Sequence, residues 1–307
     1  MRKKTLDGYW LLYKKHGLRK AIKFFYSWYY GQYKIRGVDL SKEHTLDVNG
    51  YKLTTIPNDT GISKELLKFR KHEPATTEIV SKALKKGMVC LDIGSNIGYY
   101  ACLENKSVGK EGRVIAIEPT PLTYQYLKRN IENQNGNAQT FNIACADKDG
   151  TINFAIVPGS NFCRVISEGQ PTPPEAKEII KIPCKTVDSL VKELSLDKLD
   201  FLRMDIEGYE DKLFEGAKKT INKFKPAIQI EIHPAKMGPE RTEKLLQYLQ
   251  SEGYEVENYL FGRLDTPLVS SMKDAKKSSF EDLLEMLSQG TLPHNFLVFL
   301  KNQSKMD

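Results

Sequence analysis

Val89-Cys90-Leu91-Asp92-Ile93-Gly94-Ser95-Asn96-Ile97-Gly98 is the stretch on which the reading of this chain turns. A short apolar run reaches an acid, passes a glycine turn and opens into a helical pattern at 97–107. Consecutive apolar positions suit a strand buried on both faces. Gly94 lets the backbone pass close to a ligand, and Gly98 lets the new helix pack tightly on the strand. Asp92, at the strand tip, accepts a hydrogen bond or faces a cation.

Strands and helices alternate outward from this turn. Strands are expected at Met88–Ile93, Arg113–Glu118, Ala138–Ala144, Thr151–Val157, Asp200–Met204, Ala227–Ile232, Glu255–Tyr259 and Phe296–Phe299. Ile179–Cys184 reads as an edge strand limited by Pro183. Helices are expected at 121–133, 187–194 and 239–251. Such alternation implies an α/β fold with a doubly wound, mostly parallel sheet. Upstream, Thr45–Val48 and Tyr51–Thr54 flank Asn49-Gly50, a hairpin signal. Residues 62–71 and 74–86 read as helices, with Pro74 in a first turn. The organisation expected is a basic extension at 1–40, a hairpin-and-helix cap at 41–86 and a catalytic domain at 87–303.

In open α/β sheets ligands bind beyond the carboxyl ends of the strands. The turn spacing is DxGxxxG, not the GxGxxG of dinucleotide sites, and Asn96 fills the slot where pyrophosphate needs glycine. An acid before the turn also opposes a pyrophosphate. S-adenosylmethionine, with its sulfonium, ammonium and carboxylate, suits Asp92, Gly94, Ser95, Asn96 and Gly98 better, its carboxylate directed to the helix N-terminus. Glu118, ending the next strand, suits ribose hydroxyls. Ala146 leaves room for an adenine ring, and Asp147 suits its amino group or starts the turn at 147–150.

These residues resemble the FkbM-type methyltransferase family over roughly 45–300. The likeness runs through Leu91–Tyr100, Ala116–Pro119, Asn142–Gly150, Val187–Leu190, Leu202–Glu210 and Ile228–His233. It extends to Lys71-His72-Glu73-Pro74, where Tyr is commoner than His. The resemblance implies a Rossmann-like class I methyltransferase with a seven-stranded sheet, here carrying an N-terminal helical and hairpin extension. It also implies S-adenosylmethionine as cofactor and O-methylation of hydroxyls on sugars or natural products.

Methyl transfer to a hydroxyl requires the acceptor oxygen in line with the methyl carbon and its proton removed or its oxygen polarised. Asp205 and Glu207 follow the Asp200–Met204 strand, and Glu231 and His233 end the Ala227–Ile232 strand. Asp205 also borders the expected cofactor site. Three roles are open. His233 acts as general base, the four hold a divalent metal ion, or they form a network ordering the loop after Gly208. Glu210 and Asp211 read as acids favouring a helix dipole, and His16, His44, His72 and His294 as structural or solvated. The 158–178 loop, with Asn161-Phe162-Cys163-Arg164, is the candidate for acceptor selection.

The net charge of +7 is concentrated: residues 1–40 hold ten Lys/Arg against two Asp, and the remainder 36 against 37 Asp/Glu. That argues against a nucleic-acid groove on the catalytic body. The extension holds Trp10 and Trp28, and Leu18, Ala21, Ile22, Phe25, Trp28 and Tyr29 recur at helical spacing beside Arg19, Lys20 and Lys23. Such a helix lies on a membrane surface or packs on the body as a lid. Cys90, Cys102, Cys145, Cys163 and Cys184 form no CxxC pair, and Cys90 and Cys145 read as buried. A reducing cytoplasmic setting is expected, peripheral to the inner face of the membrane, with a sugar or lipid-linked glycan as acceptor. The competing functions are an RNA or protein methyltransferase, a non-catalytic membrane-associated cofactor-binding protein and a nicotinamide-dependent oxidoreductase.

Overall fold

The computed structural model describes residues 17–166, 171–261 and 265–305. The helices are α1 (Leu18–Lys34), α2 (Ile62–Phe69), α3 (Pro74–Ala83), α4 (Tyr99–Val108), α5 (Pro121–Glu132), α6 (Val187–Glu193), α7 (Glu210–Glu215), α8 (Lys218–Phe224), α9 (Pro234–Met237), α10 (Pro239–Ser251) and α11 (Phe280–Ser288). A hairpin pairs β1 (Thr45–Val48) with β2 (Tyr51–Thr54). Its turn has Asn49 at φ 51° and Gly50 at φ 76°, the positive values that a tight two-residue turn demands.

The central sheet is built from β3 (Val89–Ile93), β4 (Arg113–Ile117), β5 (Ala138–Phe141), β10 (Phe201–Met204), β11 (Ala227–Ile232), β12 (Tyr254–Phe261) and β13 (Phe296–Asn302). Its seven strands run in the order β12-β13-β11-β10-β3-β4-β5. β3, β4, β5, β10 and β11 pair in parallel, whereas β13 runs antiparallel between β11 and β12. The chain leaves β3 toward β4 and β5 on one side, and later places β10 and β11 on the other. The tips of β3 and β10 therefore flank the topological switch point, where a crevice opens.

Alternation along each strand sorts the core into two layers. Val89, Leu91, Ile93, Leu202 and Met204 face apolar residues of α6, α7, α8, α10 and α11. Cys90 and Phe201 face α2, α3, α4, α5 and the hairpin. Asn130 of α5 joins this second layer: its Nδ2 donates to Thr54 O at 3.1 Å and to Ile97 O at 2.8 Å. Hairpin and glycine turn are thus fastened to one helix.

A second, four-stranded sheet was not foreseen from sequence. It comprises β6 (Ala144–Cys145), β7 (Gly150–Ile156), β8 (Arg164–Val165) and β9 (Glu178–Lys185), in the order β6-β9-β7-β8. The expected strand at 138–144 therefore breaks after Phe141, and its continuation joins a different sheet. The expected edge strand is internal, lying between β6 and β7. Because β6 covers only Cys184 and Lys185, β9 keeps an open side at Pro183, which makes a residue without an N–H tolerable there.

Helix α1 docks through small residues. Ser27 Oγ donates to Pro267 O at 2.6 Å, and a Cβ at Gly31 would stand 2.8 Å from Phe69. Of the expected apolar stripe only Ala21 is buried; Leu18, Ile22, Trp28 and Tyr29 are exposed. Trp10 and His16 lie outside the described residues.

Candidate active site

Two clefts meet above the switch point. The first, about 790 Å³ of open space, is lined by the turn at 93–96, Glu118, Arg203, Asp205 and Glu207. The second, about 1330 Å³, is lined by Phe162, Arg164, Glu207, His233, Lys236 and His294. Glu207 lies in both walls.

The turn is held by its own chain. Gly94 and Ser95 N–H both donate to Ile117 O at 2.9 Å, and Gly98 N–H donates to Ser95 O at 2.9 Å. Asn96 N–H donates to Glu118 Oε2 at 2.9 Å, and Ile97 N–H to Asn96 Oδ1 at 2.8 Å. These five donors are engaged within the chain, so none of them is free to grip a pyrophosphate. Gly94 sits at φ 82°, and a Cβ there would collide with Asp205 O. The close approach it permits is to the tip of β10. Gly98, at φ 94°, packs on Leu127 of α5, where the sequence predicts a close approach to the strand.

Asp92 sits next to the last residue of β3 and does not line the cleft. It is fully buried beneath the cleft, and Arg203 Nη1 donates to its Oδ1 at 2.9 Å. Sheet register pairs these two residues directly. Its cation is therefore a protein guanidinium. Arg203 also lies 4.0 Å over the Tyr100 ring and lines the first cleft. Tyr100 OH donates to Glu73 Oε2 at 2.8 Å. Glu104, on the same face, is fully buried with both oxygens unpaired, so burial pushes its carboxyl well above the usual range.

Glu118 keeps its expected place in the cleft wall. Burial raises its pKa to about 7, against the opposing bonds from the Thr120 and Asn96 N–H groups. Ala146 and Asp147 do not line the cleft; Ala144 and Cys145 do. The shift follows from the break after Phe141, which turns Ala146 toward Gly216 and Asp147 toward Tyr209, whose OH donates to it at 3.2 Å.

Because β10 and β11 are parallel neighbours, Asp205, Glu207, Glu231 and His233 converge. His233 Nε2 lies 4.0 Å from Asp205 Oδ1, 3.4 Å from Glu207 Oε2 and 3.8 Å from Glu231 Oε1. Its Nδ1 shares a 2.9 Å hydrogen bond with Glu210 Oε1. Burial opposes a charge on His233, but the Glu210, Glu231 and Asp205 carboxylates outweigh it and hold the pKa up at about 10. Burial, with Asp205 alongside, raises Glu231 to about 8. Glu207 pairs with Lys236. Burial and nearby Arg164 lower that lysine to about 8.

Sequence reasoning missed several contributors. Glu210 is the first residue of α7, as expected of a dipole-favouring acid, yet it is fully buried and orients His233. His72 lines the first cleft and His294 the second. Burial opposes the His72 charge, but Glu73 and Glu65 lift its pKa to about 9. In the 158–178 loop, Asn161 Oδ1 accepts from Ile62 N–H at 3.0 Å, while Phe162 and Arg164 turn to the second cleft. The signal for His72 lay in the Lys71–Pro74 motif. Nothing local marks His294.

The Methyltransferase FkbM domain model matches residues 92–256, more than half of the chain. The chain belongs to the FkbM methyltransferase family. Its seven-stranded sheet, with antiparallel β13 inserted beside β11, is the class I methyltransferase architecture. AglP, a hexuronic acid methyltransferase of Haloferax volcanii, is 28% identical over 162 residues, covering 52% of this chain and 61% of AglP. A protein-L-isoaspartate O-methyltransferase of Methanothrix thermoacetophila is 31% identical over 72 residues, covering 24% of this chain and 32% of that protein. The chain thus spans less than two thirds of either relative's length. Among solved structures, the FkbM methyltransferase of Methylobacillus flagellatus aligns with TM-score 0.41 and 15% identity over 72% of this chain and 50% of that one. A putative S-adenosylmethionine-dependent methyltransferase of Streptococcus mutans aligns with TM-score 0.44 and 10% identity over 84% of this chain and 55% of that one.

Proposed function

We propose that this FkbM-family chain is an S-adenosylmethionine-dependent O-methyltransferase acting on a sugar or glycolipid hydroxyl. The observation that carries the reading is the position of the Asp205, Glu207, Glu231 and His233 cluster, at the join between the two clefts. The first cleft suits the cofactor. Glu118 accepts ribose hydroxyls there, and Arg203 and protonated His72 offer the cofactor's carboxylate its counter-charge. When bound, S-adenosylmethionine supplies an electrophilic methyl group. A nicotinamide dinucleotide fits less well, because the turn has no free N–H for a pyrophosphate.

The second cleft suits the acceptor. Phe162 offers an apolar face, and Arg164 and Lys236 offer cations. The likeness to a hexuronic acid methyltransferase supports an acidic sugar there. Holding the hydroxyl against the cofactor supplies the orientation, and the carboxylate and histidine cluster handles its proton. The exposed side of α1 suits an anionic membrane surface, which would put a lipid-linked acceptor within reach of a peripheral, cytoplasmic enzyme. The test is methyl transfer from labelled S-adenosylmethionine to uronate-containing glycans. Asp205→Ala and His233→Ala should lose turnover and still bind S-adenosylhomocysteine. Full activity in both variants would overturn the catalytic assignment.

A further inference from the structure

His233 is the unusual member of the cluster. Its side chain is only 5% exposed, and its Nδ1 is fixed by Glu210, itself fully buried. Its Nε2 makes no hydrogen bond; the nearest oxygen, Glu207 Oε2 at 3.4 Å, stands outside bonding geometry. This nitrogen of a buried side chain faces the Asp205, Glu207 and Glu231 carboxylates. Asp205 Oδ1, 4.0 Å away, is also buried and without a hydrogen-bond partner. A carboxylate behind one imidazole nitrogen, with the other nitrogen bare, is the arrangement that orients histidine toward a metal ion.

We propose that Asp205, Glu231 and His233 bind one divalent cation at the join of the two clefts. Their donor atoms lie within 4.8 Å of one another. Atoms sharing one ion at about 2.1 Å stand at most about 4.2 Å apart, so closure by a few tenths of an ångström completes the site. Asn295 Nδ2 donates to Glu231 Oε1 and steadies that ligand. Glu207, engaged by Lys236, stays outside the proposed set, which is one residue smaller than the set expected from sequence. Two carboxylates and one imidazole suit Mn²⁺ or Mg²⁺ more than a thiophilic ion. Three protein ligands leave positions for water and the acceptor oxygen, where the ion polarises the hydroxyl and eases loss of its proton. This role, unlike the site itself, rests on the methyltransferase reading.

The probe is Mn²⁺ added to chelator-treated full chain, with free ion read by its six-line paramagnetic resonance signal. S-adenosylhomocysteine affinity is measured on the same samples by calorimetry. Uptake of one Mn²⁺ per chain is expected, competed by Mg²⁺ and unchanged in the surface variant Glu257→Gln. Asp205→Asn and Glu231→Gln, each removing a charged ligand, should weaken uptake by at least the roughly 10–100-fold that losing an outer-shell partner costs. Retained S-adenosylhomocysteine affinity certifies their fold. Should Asp205→Asn fail that check, Glu231→Gln, which lies outside the cofactor cleft, gives the reading. Wild-type chain that binds S-adenosylhomocysteine but leaves millimolar Mn²⁺ free overturns the metal site and leaves the methyltransferase reading standing. So does uptake undiminished in both variants. Wild-type chain that takes up Mn²⁺ without binding S-adenosylhomocysteine keeps the site and overturns the methyltransferase reading.

Discussion

At Glu118 burial and hydrogen bonding pull in opposite directions, and burial prevails, raising the carboxyl from 4.5 to about 7. Two consequences of opposite sign follow. The folded state holds this proton more tightly than the unfolded chain does. Its contribution to stability is therefore present below about pH 4.5 and lost as pH rises through about 7. Ribose hydroxyls, by contrast, donate to the ionised form. Calorimetry should find S-adenosylhomocysteine binding about tenfold tighter at pH 8 than at pH 6, as the ionised fraction rises. Glu118→Gln should flatten that profile. Such a residue was legible because it ends a strand pattern beside the glycine turn. Arg203 was not, although it stood inside a quoted motif, because its partner Asp92 lies 111 positions away. Only the pairing of β10 with β3 brings the two into contact.

Among the elements, α3 shows how far a helix end can depend on distant chain. Pro74 starts it, as the sequence indicates, but Glu73 precedes it at φ 40° and gives no side-chain cap. The cap arrives from Asp265, whose carboxylate accepts from Ala75 N–H at 2.9 Å and Thr76 N–H at 2.7 Å. Thr76 Oγ1 adds a third bond at 2.6 Å. With Ser270 Oγ also donating to Oδ1, a buried carboxylate at a helix N-terminus facing four donors is strongly held. Asp265→Ala should cost about 2–3 kcal/mol, read by urea unfolding, with Asp265→Asn intermediate. The hairpin is the opposite case, since Asn49-Gly50 and its flanks carry the whole signal. The second sheet stayed hidden because β6 and β8 are two residues each, too short for any periodicity.

Across the whole molecule, charge and apolar exposure are unevenly spread. The first 40 residues carry all of the excess positive charge. Within them α1 shows Leu18, Ile22, Tyr26, Tyr29 and Tyr33 to solvent, with Arg19 and Lys23 exposed beside them. Among the described residues no helix is long and apolar enough to cross a membrane. A helix lying in the headgroup region fits this pattern. Ile22→Glu with Tyr29→Glu should abolish sedimentation with anionic vesicles and leave methyl transfer to a water-soluble acceptor unchanged. Binding that persists in the double variant would remove the membrane role of α1.

The sequence by itself determined the strands of the central sheet, their order along the chain and the acids at their tips. It did so because a strand buried on both faces needs an unbroken apolar run, and a turn at positive φ needs glycine or asparagine. Those demands are local and leave local marks. Tertiary structure alone decided which tips meet. It paired Asp92 with Arg203, turned Ala146 and Asp147 away from the cleft, and set Glu210 behind His233. Each outcome depends on register between segments far apart in the chain, and register leaves no trace in either segment alone.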